Sequence, residues 1–184
     1  MAGGSRYGLR ERLYERLGTG GEALYGFGAC LLALSVSGLA AYFTREPFLF
    51  PSLGPTAFLV FEDPLAPISS PRNTLVGHLV GVLAGALSLA VFGLLDHPSI
   101  LEEGVTLARV GAAAFSVALT VGVQLLLKSS HPAAEATVLI VSLGLLRTPR
   151  EMLMLMIGVV LLVVVCWLIN RAFGAPVPVW APKE

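Results

Sequence analysis

The stretch SSHPAAEAT, residues 129–137, decides how this chain folds, because it lies between two of its most apolar parts. A histidine, a proline and a glutamate are costly beside hydrocarbon, and such residues mark a break in a helix, a functional site or both. On one side, Val105 to Leu127 runs for 23 residues with a single charge, Arg109; on the other, Ala133 to Leu146 is an apolar run of 14. The first can cross a hydrocarbon layer of about 30 Å at about 1.5 Å per helical residue, and the second is too short to do so as a continuous helix. The spacing therefore predicts a full span followed by a broken or re-entrant helix, capped by Ser130 or His131 with Pro132 in its first turn.

The same pattern extends in both directions. Ala23 to Phe43 gives 21 residues without a charge, Thr74 to Leu95 gives 22 interrupted by His78, and Met152 to Ile169 gives 18, closed by Asn170 and Arg171. A second short run of 14, Phe48 to Phe61, starts among Pro51, Ser52, Gly54, Pro55 and Thr56. With 55% hydrophobic and 13% charged residues and a mean hydropathy of +0.81, the chain is an all-α membrane protein of four long transmembrane helices and two short broken ones. The expected organisation is a basic amphipathic segment over 1–22, one transmembrane domain over 23–170 with halves at about 23–95 and 105–170, and a tail over 171–184. Arg6, Arg10, Arg12 and Arg16 place the N-terminus in the cytoplasm, and the acidic loop DHPSILEEG, residues 96–104, falls on the opposite side if the first short segment crosses. The first span reads as retained rather than as a cleaved signal. An inner or plasma membrane of bacterial type, or a plastid envelope in a eukaryote, is the expected location.

Two regions look duplicated. Residues 55–85 and 135–162 each run from a threonine-containing start through a short apolar segment to a Ser/Thr-Pro-Arg turn, at Ser70-Pro71-Arg72 and Thr148-Pro149-Arg150, and on into a long span. Three crossings per half make the second copy inverted relative to the first, an arrangement that brings two broken helices together near the bilayer midplane.

The start of a helix carries unpaired N–H groups and about half a positive charge, so two such starts meeting inside the membrane favour a small anion. Ser52, Gly54, Thr56, Ser130, His131, Pro132 and Thr137 are the candidate binding residues. Glu135 fits an anion site poorly and reads as a capping group, a proton carrier or a cation ligand; with His78 and Arg109 it forms the candidate set for coupling or gating. Gly77, Gly81 and Gly85 make consecutive small-xxx-small steps that permit close helix contact, within or between subunits. A mass of 19.3 kDa barely encloses a pathway, so a homo-oligomer is expected. Twelve basic residues balance twelve acidic ones, and nucleic acid is not an expected partner. No nucleotide loop, metal-ligand spacing or nucleophile–base set can be placed, so neither an enzyme nor a cofactor or metal is expected.

Four pieces in order resemble the HPP family of integral membrane proteins: SLGPTAFLVF, PLAPISSPRN, GHL at 77–79, and HPAAEAT, standing where that family has His-Pro-Pro-Ala-Gly-Ala-Thr. The resemblance covers roughly residues 25–170, and Pro71, Arg72, Asn73, His78, His131, Pro132 and Thr137 match its pattern. Ala133 stands in place of the second proline and Glu135 in place of a glycine. Some members of that family transport nitrite, so the resemblance implies transport of nitrite or a similar small anion. A proton- or cation-coupled carrier using Glu135 and His131, and a membrane module that binds a ligand without transporting it, are the competing expectations.

Overall fold

A computed structural model describes residues 8–182. They form helices α1 (Leu9–Leu17), α2 (Thr19–Thr44), α3 (Leu53–Glu62), α4 (Pro71–Val91), α5 (Ile100–Glu103), α6 (Leu107–Leu126), α7 (Ala134–Ser142) and α8 (Pro149–Ala172), with a 3-10 turn at Pro67–Ser69 before α4. α2, α4, α6 and α8 are each long and apolar enough to cross a membrane, and their outward faces expose Leu24, Phe27, Leu83, Leu87, Leu126, Leu153 and Val164. In water such faces would be unstable; in lipid they meet their own kind, and the protein is an integral membrane protein.

The ends of the helices sort into two layers. At one end, the Leu9 amide donates to Phe173 O, Arg72 N to Trp180 O, and the Arg72 guanidinium to Leu127 O and Lys128 O at 3.0 Å each. This end therefore gathers α1, the start of α4 and the ends of α6 and α8. At the other end, Arg150 at the start of α8 pairs with Glu46 just beyond α2, while Arg109 at the start of α6 donates to Ser142 O at the end of α7 and to Pro98 O in the α5 loop. The two short helices divide the thickness. Residues 46–52 descend without helix from the Arg150 end to the start of α3, which continues toward the α1 end, where Ser69 Oγ donates to Leu59 O. Residues 129–133 do the reverse before α7. Both short segments cross, each half as helix and half as irregular chain, which membranes tolerate where the irregular part is buried in protein.

The Ser/Thr-Pro-Arg turns start helices as their composition demands. Ser70 Oγ accepts from Asn73 N at 3.3 Å and Thr148 Oγ1 from Glu151 N at 3.2 Å, with Pro71 and Pro149 in the first helical position, where a missing N–H costs nothing. The two short helices do not follow that rule. Their N-cap positions are Ser52 and Ala133, neither of which makes a side-chain cap bond, and helix begins at Leu53 and Ala134 rather than at Pro51 or Pro132.

Three expectations change at the ends and at the glycines. α1 stops at Leu17 because Gly18 turns with φ 59°, and α2 then begins at Thr19, four residues before the apolar run. Its Leu9 and Leu13 pack against the bundle core instead of facing lipid, while Leu17 stays exposed. Arg6 lies outside the described residues. At the other terminus α8 continues to Ala172, and the tail folds back so that Trp167 Nε1 donates to Pro178 O at 3.0 Å. The glycine ladder is already occupied. A Cβ at Gly77 would come within 2.8 Å of His131 Cβ, one at Gly81 within 3.0 Å of Ala134 O, and one at Gly85 within 2.7 Å of Val141 Cβ. The rising order of partners shows α4 and α7 running parallel, so Gly77, Gly81 and Gly85 seat α7 within the protomer and offer no face to a second subunit.

Candidate functional site

α3 and α7 each carry a threonine at their fourth residue, Thr56 and Thr137. Both are fully buried, and both reach the same side chain, His78 of α4, from opposite sides. Thr56 Oγ1 lies 2.9 Å from His78 Nε2, and Thr137 Oγ1 lies 2.6 Å from His78 Nδ1. His131 stands beside them, its ring centroid 5.1 Å from that of His78 and its Nε2 3.4 Å from Thr56 Oγ1. Its Nδ1 is 2.7 Å from Ile68 O in the 3-10 turn and 3.5 Å from Thr74 Oγ1. Neither imidazole has any exposed surface. The cluster thus ties both broken helices, α4 and the 3-10 turn into one polar knot in an apolar interior, where unpaired polar groups are expensive.

Hydrogen-bond chemistry orders the knot. A carbonyl oxygen can only accept, so His131 Nδ1 carries a hydrogen donated to Ile68 O, and the neutral ring leaves Nε2 as a lone pair. Thr56 Oγ1 donates to Ser52 O at 2.9 Å, so it accepts from His78 Nε2–H. His78 Nδ1 is then an acceptor and receives the Thr137 hydroxyl. Every hydrogen in this chain has a place. His131 Nε2, with only the shared Thr56 hydroxyl near it, lacks a donor of its own among the described residues.

The segment leading into α7 is held by a residue that sequence reasoning did not single out. Gln124 of α6, buried, accepts the His131 amide at its Oε1 at 2.7 Å and points its Nε2 toward Glu135 Oε1 at 3.4 Å. It anchors the chain before α7, and the capping expected of a Ser130 or His131 side chain falls instead to the backbone, with Ala134 N, Glu135 N and Ala136 N donating to His131 O, Pro132 O and Ala133 O. The signal in the sequence is a glutamine inside a span, in register with Ala112, Ser116 and Thr120 on the buried face of α6. Thr74 and the Ile68 carbonyl were likewise not foreseen; a backbone acceptor leaves no mark in a sequence.

The other candidates divide. The Ser52 carbonyl takes part, while its hydroxyl is buried without a partner. Gly54 faces open space and lies outside the cluster. Ser130, the exposed Pro132 and Glu135 line a pocket of about 210 Å³ that reaches His131, together with Gln124, Val121 and Leu125. Glu135 Oε2 is buried there without a hydrogen-bond partner. Arg109 does not snorkel. It is fully buried, donates to Ser142 O, His97 O and Pro98 O, and lies 3.6 Å from Glu103. A guanidinium on the carbonyl end of α7 complements its dipole, so Arg109 holds the fold far from His78. Arg72 does the same for α6, Asn73 Oδ1 accepts from Arg72 at 3.1 Å, and Pro71 opens α4.

Among the described residues no group of three or more His, Cys, Asp or Glu could hold a metal ion. No curated protein and no solved structure matches the chain. The family described as HPP, transmembrane region, matches residues 17–178, which takes in every element from α2 to the end of α8, and the chain belongs to that family.

Proposed function

We propose that this protein transports a small inorganic anion, nitrite in the first instance, through the site built by Thr56, His78, His131 and Thr137. One observation carries the reading: the two broken helices meet through their fourth residues on the two nitrogens of one buried histidine. A structural core has no need to interrupt two helices around a polar knot, whereas transporter sites are built from half-helices. The family resemblance supports nitrite as substrate, and no catalytic role is proposed.

An inverted duplication of α2–α3–α4 and α6–α7–α8 supports the same reading. α2 and α6 are each followed by a non-glycine residue with positive φ, Arg45 at 62° and Lys128 at 49°. α4 and α8 each end on Phe-Gly, with Gly93 at φ 68° and Gly174 at φ 88°. The buried faces also correspond, Ala29, Ala33 and Ser37 on α2 with Ala112, Ser116 and Thr120 on α6. A homo-oligomer, proposed on the protein's small size, would use another face than the α4 glycines; α6 exposes Ala114, Ala118 and Gly122 at four-residue steps. We place the N-terminus in the cytoplasm of a bacterial-type membrane, or facing the equivalent side of a plastid envelope, on the charge of residues 1–22.

The unpaired Glu135 oxygen favours a second reading, a carrier for a proton or another cation. Nitrite uptake into proteoliposomes separates the two. With an anion as substrate, Glu135→Gly leaves uptake unchanged or raises it; with a cation bound at Glu135, the same change abolishes transport and nitrite is not taken up by the wild type.

A further inference from the structure

An anion entering the His78–His131 cluster would meet no full positive charge, and the helix starts offer fewer free N–H groups than the sequence suggests, since Leu53 N, Ala134 N, Glu135 N and Ala136 N already donate to Phe50 O, His131 O, Pro132 O and Ala133 O. The basic residues of α4 and α6, Arg72 and Arg109, are both committed to backbone carbonyls at opposite ends of the bundle. Burying an unbalanced charge in such an interior is costly even after relaxation, and a countercharge arriving with the anion removes that cost. On the reading that this is an anion transporter, we infer that the anion binds together with one proton, taken up by His131 at Nε2.

The geometry selects that atom. His78 has both ring nitrogens engaged by threonine hydroxyls, at 2.9 and 2.6 Å. His131 Nδ1 already donates its hydrogen to Ile68 O, so an added proton goes to Nε2, the lone pair without a donor of its own. The balance is simple: one proton is added, no bond other than N–H forms, and the Thr56 hydroxyl keeps its hydrogen on Ser52 O. His131 Nε2–H and His78 Nε2–H then both point toward Thr56 Oγ1, which turns the cluster from one that offers a lone pair into one that offers two donors. Anion plus proton adds no net charge to the membrane interior.

The groups facing His131 are few. α4 presents His78 and the neutral Thr74 and Gly77, α3 presents Thr56, α6 presents the uncharged Gln124, and its own segment adds Glu135. Glu135 lines the pocket that reaches His131 from outside the cluster.

The test is nitrite binding to the purified protein in weakly buffered detergent solution, with a pH indicator reading proton uptake. One proton should be taken up per nitrite bound, and apparent affinity should fall about tenfold per unit rise in pH above the histidine's titration. His131→Asn keeps a donor for Ile68 O while removing the Nε2 acceptor; it should melt with the wild type, take up no proton, and bind nitrite weakly at every pH. Nitrite bound without a proton, or proton uptake that persists in His131→Asn, overturns the inference and leaves the anion reading intact. Failure of folded wild type to bind nitrite at any pH overturns both.

Discussion

His78 is the residue around which the site closes, because an imidazole offers two nitrogens in fixed directions and the fold supplies a hydroxyl to each. The Thr137 bond is the shorter of the two, and by the ordering of hydrogens it is the sole donor to His78 Nδ1 among the described residues. Thr137→Val preserves shape and removes that donor, leaving a buried acceptor unpaired. It should lower stability by about 1–3 kcal/mol, read as thermal unfolding in detergent, while Thr137→Ser should recover most of the loss. Much of this was visible from residues alone. Thr56, His78, His131 and Thr137 stand out as polar positions at breaks in apolar runs. Gly54 does not belong with them, since proximity in sequence to a broken helix does not say which side of that helix faces inward.

At the scale of elements, the sequence marks helices and their starts well, and partners poorly. Ser70-Pro71 and Thr148-Pro149 satisfy their first turns locally, so the pattern is readable without tertiary knowledge. The chain ahead of α7 is held by Gln124 of α6, seven residues before His131, and no local rule points there. Arg109 was readable as an intramembrane charge but not as the cap of α7, since its partners are carbonyls of residues 97, 98 and 142. The glycines of α4 announced a close contact without naming α7. That contact is testable. Gly77→Ala would set a Cβ 2.8 Å from His131 Cβ, and such overpacking costs about 1–3 kcal/mol. It should lower nitrite uptake as well as the melting temperature, whereas Gly28→Ala on the exposed side of α2, with nothing within 4 Å of the new methyl, should change neither.

The whole molecule is four spanning helices with two broken segments threaded between them in opposite directions, and the polar cluster lies where the broken segments face each other. Neither broken segment completes the cluster alone: α3 supplies Thr56, α7 supplies Thr137, and α4 supplies the histidine that joins them. The number of spans and the two interruptions follow from run lengths against bilayer thickness. The folding of α1 and the tail onto the end of the bundle does not, because Leu9 N to Phe173 O joins positions at opposite ends of the chain. The most direct measurement of the central claim is nitrite influx into proteoliposomes for the wild type and Thr56→Val, with protein-free liposomes subtracting the permeation of nitrous acid. The account predicts influx above that background in the wild type and its loss in Thr56→Val protein that still reconstitutes as folded helix. Undiminished influx in Thr56→Val, or none from folded wild type, would contradict it.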